Sequence, residues 1–249
     1  MKTGYIGETP LRFWVIFGNL RLMGTTPREV CLDEIQRSVL IGTLLGDGGL
    51  RYRGKNCRLH VKHAEWQLPL VQYKYSIFQN IVSMKVNRFE QEVNGKKYRF
   101  AEFVTRTNIE LTKYYHVFYK NGKKGVPVNI GDLLTSPLSL AMWFMDDGSA
   151  EYAGVSFQTH SFAMREVRRL RSCLKESFGL EATLRKNKGR WILYLPKRSL
   201  PRFRDLIQDY VLDEFRYKLT PYFEKKINPV ETVRRDPMDT SDYDTVRSV

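Results

Sequence analysis

The chain has 249 residues, 42% of them hydrophobic, which is enough for one large core or two small ones and argues against a disordered chain. Its 41 Lys and Arg outnumber 27 Asp and Glu, and the formal net charge of +14 attracts polyanions and disfavours acidic partners. Nucleic acid is the partner we expect, although a basic surface can also serve solubility alone.

The N-terminal region and the cysteines predict an intracellular protein. The apolar stretch from Leu11 to Phe17 is interrupted by Arg12 and is too short to span a bilayer, so residues 1–30 are interpreted as an extension without membrane or export function. Three cysteines without paired spacing, and four histidines that form no motif with them, predict reduced thiols and no structural zinc. The expected compartment is a mitochondrion or chloroplast for an organelle-encoded protein, and otherwise a bacterial or phage-host cytoplasm.

A first half is expected over residues 31–120. Residues 32–45 predict a helix that is apolar nearly all round, hence buried on more than one side, and that is closed by Gly48 after Asp47. A strand pair, a helix, a hairpin and a helix follow. The helices are expected at 65–84 and 108–119, and the hairpin strands at 88–93 and 98–106, around the tight-turn pair Asn94-Gly95.

Polar residues from Lys120 to Gly125 predict a linker, assigned to 121–134. A second half is expected over 135–225, with an N-cap at Ser136 and Pro137 at the first helical position. Later helices are expected at 163–178 and 199–210, with hairpin strands at 180–186 and 190–195. Residues 226–249 lose apolar periodicity and are expected to form a mobile tail.

The two halves look like one unit written twice. The run from Leu40 to Gly48 and the run from Leu140 to Gly148 are both mainly apolar and both end in Asp-Gly, one hundred positions apart. Each continues to a Tyr, a Gly and a His at the same offset: Tyr52 and Tyr152, Gly54 and Gly154, His60 and His160. The predicted fold class is α+β, with two pseudo-symmetric αββαββα halves packed through a central helix pair and antiparallel sheets forming a DNA-binding saddle.

Asp47 and Asp147 stand at the C-terminal ends of these helices, where the helix dipole disfavours a negative charge by roughly 0.3–1 kcal/mol. A single Asp-Gly after a helix is an ordinary turn signal. Two at matched positions of a repeat indicate function, because sequences are otherwise locally consistent. Packed side by side, the helices would bring both carboxylates together under a basic surface, an arrangement that calls for divalent cations between carboxylate and phosphate.

With these features in hand, the chain resembles the LAGLIDADG homing endonucleases over residues 32–225, in the single-chain, two-motif branch of the omega-intron type. The run from Trp143 to Gly148, Trp-Phe-Met-Asp-Asp-Gly, is the specific part. The resemblance implies that Asp47 and Asp147 are catalytic carboxylates that bind Mg²⁺ or Mn²⁺, with the backbone carbonyls of Gly46 and Asp146 as further metal ligands. It leaves the role of the Asp146 side chain open.

The resemblance also implies a basic residue near each scissile phosphate, at Lys124 and Lys218, with Lys123 as a competitor for the first. Gln158 is expected to face the active site. Candidate DNA-contacting residues, whose alternation along paired strands suits a major groove, are Arg51, Arg53, His60, Lys62, Lys96, Lys97, Arg99, His160, Arg185, Lys186, Lys188 and Arg190.

The implied activity is double-strand cleavage of a long DNA site by a monomer, by metal-assisted hydrolysis that leaves short 3′ overhangs, in intron or intein homing. Two alternatives stay open. An RNA maturase that assists splicing of a host intron would also need a basic surface. A non-catalytic DNA-binding regulator on the same scaffold would have no need of paired carboxylates.

Overall fold

The computed structural model describes residues 30–221. The expected extension, apart from Val30, and the expected tail lie outside this range. Within it, no helix combines the length and the apolar run needed to cross a membrane. In chain order the elements are α1 (Glu34–Leu45), β1 (Gly49–Arg53), β2 (Asn56–Ala64), α2 (Leu68–Ile77), β3 (Asn87–Val93), β4 (Lys96–Val104), α3 (Ile109–Phe118), β5 (Tyr119–Lys120), β6 (Lys123–Lys124), α4 (Ile130–Leu133), α5 (Pro137–Asp147), β7 (Gly148–Ala150), β8 (Gly154–Phe157), α6 (Met164–Phe178), β9 (Thr183–Asn187), β10 (Arg190–Pro196) and α7 (Leu200–Ile207), with a 3-10 helix at Asp213–Leu219.

Two four-stranded antiparallel sheets repeat one topology. The first has the strand order β1-β2-β4-β3 and the second has the order β7-β8-β10-β9. Helices α1, α2 and α3 belong to the first sheet and α5, α6 and α7 to the second, so each half is αββαββα. The predicted α+β fold class with duplicated halves is confirmed.

Capping side chains fix the residue at which each central helix begins. Asp33 and Gln36 form a capping box at α1, where the Gln36 N–H donates to Oδ1 of Asp33 at 2.7 Å. The hydroxyl of Ser136 accepts the N–H of Leu138 at 3.2 Å at the start of α5. Helix α5 ends against Gly148, as predicted.

The end predicted for α1 at Gly48 is wrong. Its C-cap is Gly46, whose N–H still donates to the carbonyl of Gly42 but whose own backbone, at φ −98° and ψ −134°, has left the helix. The chain unwinds one residue before the aspartate. Asp47 therefore lies in a turn after α1, whereas Asp147 is the last residue of α5.

Three hairpins turn on two residues with positive φ, the conformation that an Asn-Gly pair favours. Asn94-Gly95 and Lys188-Gly189 join the hairpin strands predicted in each half. The third, Asn121-Gly122, joins β5 to β6 inside the segment expected to be a linker. This short hairpin matters because β6 carries Lys124.

The motif helices α1 and α5 pack so that matched positions of the repeat face each other. A Cβ placed on Gly42 would lie 2.6 Å from the Cβ of Met142, and one placed on Gly46 would lie 2.4 Å from the Cβ of Asp146. Each glycine of α1 makes room for the larger counterpart in α5. The core around them is aromatic in the second half, where Trp143 and Phe157 lie 4.2 Å apart between ring centres.

Candidate active site and nucleic-acid interface

The two motif aspartates lie at the same end of the central helix pair. The side chain of Asp47 is 12% exposed, and Asp147 is 6% exposed as a residue. The N–H of Asp47 donates to Oδ2 of Asp146 at 3.2 Å, so the neighbour of Asp147 touches the backbone of Asp47. The second motif therefore contacts the first at the position of its aspartate.

Lys124 binds the backbone on both sides of Asp47. Its ammonium donates to the carbonyls of Gly46 at 2.7 Å and Gly48 at 2.8 Å. The β5–β6 hairpin positions this side chain, while the competitor Lys123 is exposed on the same strand. Of the two lysines, Lys124 is the one that reaches the site.

Lys218 repeats this arrangement in the second half. It lies in the 3-10 helix Asp213–Leu219 and donates to the carbonyl of Met145 at 2.6 Å and that of Asp146 at 3.4 Å. Burial lowers the pKa of Lys218 to about 8, although Asp146, Asp47 and Asp147 all act to raise it. The ammonium therefore lies within electrostatic reach of all three carboxylates.

A buried cluster beside Asp47 was missed by the sequence reasoning. Lys74 of α2, fully buried, donates to both carboxylate oxygens of Asp146, at 2.6 and 2.8 Å. His63 of β2, also buried, lies with Nε2 3.4 Å from the Lys74 ammonium and with Nδ1 3.5 Å from Oδ2 of Asp47. Asp47, His63 and Asp146 each offer a possible metal-ligating atom, all within 4.8 Å of one another.

The protonation of His63 follows from its surroundings. Burial and the nearby Lys74 ammonium lower the pKa of His63 from its ordinary value, against the carboxylates of Asp146 and Asp47, and so favour the neutral ring. Because an ammonium can only donate, Nε2 accepts and the ring proton lies on Nδ1. Nδ1 faces Oε1 of Gln67 at 3.3 Å and the carboxylate of Asp47.

Gln158 lies beside Asp147, just after β8. Its N–H donates to the carbonyl of Asp147 at 2.8 Å, and its side-chain amide donates to the hydroxyl of Ser156 at 3.0 Å. His160 lies further on, in the turn before α6 and not on a strand.

The match between His60 and His160 is not preserved by the strand register. Gly49 pairs with His60 in the first sheet, whereas Ser149 pairs with Ser156 in the second. Counting from the aspartates, Ser156 is thus the counterpart of His60, and Gln158 is the counterpart of Lys62. The cause is a shorter hairpin in the second half, where β7 ends at Ala150 whereas β1 continues to Arg53, so that the chain turns back earlier.

The face of the first sheet that helices leave uncovered, here called the open face, carries much of the predicted DNA-contacting set. Leu50 and Leu59 pair and point into the core, so their neighbours Arg51 and Arg58 pair on the open face. Arg58 was not predicted. By the same alternation this face also holds Arg53, His60, Lys62 and Lys96.

Two of these residues already have protein partners. His60 lies 2.9 Å from Oε2 of Glu102, and burial lowers its pKa despite that carboxylate. Lys62 donates to Oε1 of Gln91 at 2.7 Å and lies 4.2 Å from the centre of the Phe100 ring. Both side chains are held in place before any ligand arrives.

Lys97 and Arg99 alternate onto the opposite face of the first sheet, since they share the parity of the core residue Ala101. Lys97 lies 3.3 Å from Glu90, and Arg99 lies 3.8 Å from the same residue. Their charges are therefore directed to acidic neighbours on the side away from the open face.

The second sheet divides its basic residues in the same way. Arg185 and Arg190 share the open face with Tyr194, and the Arg185 guanidinium lies 3.2 Å from the centre of the Tyr194 ring. Lys186 pairs with Trp191 on the helix side, and its ammonium lies 5.3 Å from that ring centre. Lys188 lies in the turn between the strands.

Comparison with known proteins assigns the family. Residues 37–203, more than half of the chain, match the model of the LAGLIDADG DNA endonuclease family. The chain belongs to this family. By fold and family it is a site-specific DNA endonuclease, as the sequence resemblance predicted.

Individual relatives agree with this assignment. The cytochrome b mRNA maturase bI2 of Debaryomyces hansenii is 29% identical over 199 residues, which cover 77% of this chain and 76% of that protein. The DNA endonuclease I-ChuI of Chlamydomonas applanata is 28% identical over 211 residues, covering 76% and 96%. Other curated relatives are longer, and the chain spans 47% of one and 56% of another.

A solved structure is similar over most of the chain. The homing endonuclease I-WcaI bound to its DNA recognition sequence superposes with a TM-score of 0.72 at 26% identity, covering 77% of this chain and 88% of that one.

Proposed function

We propose that this endonuclease hydrolyses one phosphodiester in each strand of a long duplex site, with Asp47 and Asp147 holding Mg²⁺ or Mn²⁺ at the two scissile phosphates. One observation carries the proposal: in both halves an aspartate lies at or just beyond the C-terminal end of a buried apolar helix, and a lysine binds backbone carbonyls next to it. Carboxylates under a DNA-binding surface would repel phosphates unless a cation lay between them.

The donor set fits a hard divalent cation. Carboxylate oxygens of Asp47 and Asp147 and backbone carbonyls of Gly46 and Asp146 are the ligand types that Mg²⁺ and Mn²⁺ prefer. Each carbonyl oxygen has two lone pairs, so its contact with a lysine leaves a second position for a metal. A metal bound there would activate the attacking water and stabilise the leaving oxygen.

The other residues of the site stabilise the charge on the phosphate and orient the groups around it. The ammonium groups of Lys124 and Lys218 are held beside the aspartates and stabilise the negative charge that develops on each phosphate. Gln158, whose amide is oriented by the hydroxyl of Ser156, is placed to hold water or a phosphate oxygen beside Asp147.

In each sheet, the open face, which the helices leave uncovered, recognises the DNA sequence. A two-stranded ribbon fits the major groove, and every second side chain of a strand faces the bases. Arg51, Arg58, Arg185 and Arg190 are the open-face residues on which we base DNA contact, and the relative I-WcaI was solved with its DNA recognition sequence. The product expected by family is a break with short 3′ overhangs, serving the homing of a host intron or intein.

One chain carries both motifs, so a monomer supplies both sites. Its substrate implies that it works inside a cell, in the compartment that holds its gene. Gel filtration of the free and DNA-bound protein and microscopy of a tagged chain test these two points.

The test is cleavage of a pooled duplex library, including intron-flanking sequences, with Mg²⁺ or Mn²⁺, with Ca²⁺, and with Asp47→Asn and Asp147→Asn variants. We expect discrete double-strand cuts that need Mg²⁺ or Mn²⁺ and both carboxylates. Cutting that persists in both variants would reject these residues as the metal-holding pair. Salt-sensitive binding without any cutting would instead support a regulator.

A second candidate function is RNA maturation, because one of the relatives is named a cytochrome b mRNA maturase. The same basic surface suits a structured RNA, whose recognition depends on shape and backbone. Splicing of a candidate host intron with and without the protein tests this activity. Asp147→Asn separates the two functions, since splicing assistance requires no phosphodiester hydrolysis by the protein.

A further inference from the structure

The Lys74–Asp146 pair joins the two halves at the cleavage centre. Lys74 belongs to α2 of the first half and Asp146 to α5 of the second, and both side chains are completely buried. Oδ2 of Asp146 accepts the N–H of Asp47 as well as the Lys74 ammonium. A side chain of the second motif therefore holds the backbone of the first aspartate.

The part of the second half that the structure describes has no equivalent of this pair. The counterpart of Asp146 is Gly46, and the counterpart of His63, by strand register, is the buried Thr159. The counterpart of Lys74 is Leu174, because Leu70 and Leu170, and likewise Phe78 and Phe178, are buried at the same offset of one hundred. Lys74 and His63 of the first half and Asp146 of the second thus form one polar cluster, where their counterparts are leucine, threonine and glycine.

Stability alone does not explain a buried ion pair of this kind. The desolvation of two charges offsets most of their attraction, and well-packed apolar residues, like those of the second half, serve as well or better. The two halves differ at three positions that surround the Asp146 carboxylate. Such a group of differences in an otherwise repeated structure indicates a role in the chemistry of the site.

Without Lys74, the cluster would be a metal site of its own. Asp47, His63 and Asp146 already bring ligand atoms within 4.8 Å of one another. The Lys74 ammonium donates to both oxygens of Asp146 and lies 3.4 Å from Nε2 of His63, so a metal cation bound between these groups would meet a positive charge at close range. A cation bound by all three residues would use Asp47 as a ligand and would therefore compete with a metal that Asp47 shares with a phosphate.

We propose that Lys74 is a positioning residue that withholds Asp146 and His63 from metal coordination, so that Asp47 shares its metal with the DNA phosphate. The inference rests on the proposed function, because it takes Asp47 as a metal-holding carboxylate. The pair also keeps the Asp146 side chain against the backbone N–H of Asp47, and this contact fixes the direction of the Asp47 carboxylate.

The experiment measures Mn²⁺ binding to the DNA-free protein by electron paramagnetic resonance, alongside strand-resolved cleavage. Lys74→Met removes the charge at similar size and is expected to bind Mn²⁺ at least about tenfold more tightly than the wild type while cleaving more slowly. Adding Asp146→Asn to this variant should abolish the gain in affinity. If Lys74 only stabilised the fold, its replacement would give no reason for tighter Mn²⁺ binding.

Val71→Ala is the matched control, because it truncates a buried residue of the same helix without touching the pair. It should lower the melting temperature and leave Mn²⁺ affinity unchanged. Unchanged affinity in folded Lys74→Met, or the same gain in Val71→Ala, would overturn the proposal.

His63→Gln alone provides a second, independent test that does not depend on folding of Lys74→Met. The proposal predicts wild-type Mn²⁺ affinity for it, since the imidazole is withheld from the metal. Weakening by about 10–100-fold would show that this imidazole is a ligand and would reject the proposal. Failure of the proposed function looks different, because Asp47→Asn and Asp147→Asn would then leave cleavage intact.

Discussion

Gly42 and Met142 face each other across the central helix pair at matched positions of the repeat. A Cβ on Gly42 would lie 2.3 Å from the carbonyl oxygen of Ser139 as well as 2.6 Å from the Cβ of Met142. Neither contact involves the flexible end of a side chain, so the helices would have to separate. This contact explains why α1 keeps a glycine in the middle of a helix, where it otherwise weakens the helix.

Gly42→Ala should therefore destabilise the protein by about 1–3 kcal/mol, the usual cost of overpacking a core. Gly131→Ala is the control, since nothing lies within 4 Å of a Cβ placed there. Thermal and urea unfolding of both variants measure the difference. Equal stability of the two would mean that the helices tolerate a larger separation than their packing implies.

Lys124→Met should slow cleavage by roughly 100- to 1000-fold, because it removes a fixed positive charge beside the scissile DNA phosphate at the Asp47 site. Lys123→Met, one residue away and exposed, should leave the rate unchanged. Single-turnover rates on a cognate duplex, with DNA affinity measured in Ca²⁺, separate catalysis from binding. The reverse ranking of the two variants would assign the role to Lys123.

Arg51→Ala should weaken DNA binding and reduce the slope of log affinity against log salt by about 1, as expected when one phosphate contact is lost. Lys97→Ala makes the same change in net charge on the opposite face, where Glu90 is its partner. It should alter neither quantity. Fluorescence anisotropy across a salt series measures both, and equal slopes for the two variants would contradict the assignment of the open face.

Thiol reactivity should distinguish the three cysteines. Burial raises the pKa of Cys57 and Cys173, which lowers the fraction of reactive thiolate at pH 8, whereas Cys31 is exposed. One thiol should react rapidly with a chromogenic disulfide in the folded protein, and two more only after unfolding in guanidinium. Cys31→Ser should remove the fast phase alone.

Local signals in the sequence predicted most of the fold. The apolar runs ending in Asp-Gly predicted the central helices, and Asn94-Gly95 predicted a hairpin, because each of these patterns is settled by neighbouring residues. The same turn signal at Asn121-Gly122 was assigned to a linker, and so the hairpin that carries Lys124 was missed.

Features that depend on register or on distant residues were not predictable in this way. Strand β4 has apolar residues on both faces, Phe100 on the open one and Ala101 and Phe103 in the core, so alternation did not reveal where Lys97 points. Lys74 looked like one polar residue among many in an amphipathic helix. Its counterpart Leu174 was the available signal, but only the structure brings Lys74 to Asp146, 72 positions away.

The glycines of α1 determine which halves can associate. Two first halves brought together would set Gly42 against Gly42 and Gly46 against Gly46, leaving a gap between the helices. Two second halves would set Met142 against Met142 and bury Asp146 beside another carboxylate with no Lys74 to neutralise it. We therefore expect each half to pair better with the other half than with a copy of itself, which suits a DNA site whose two ends differ in sequence.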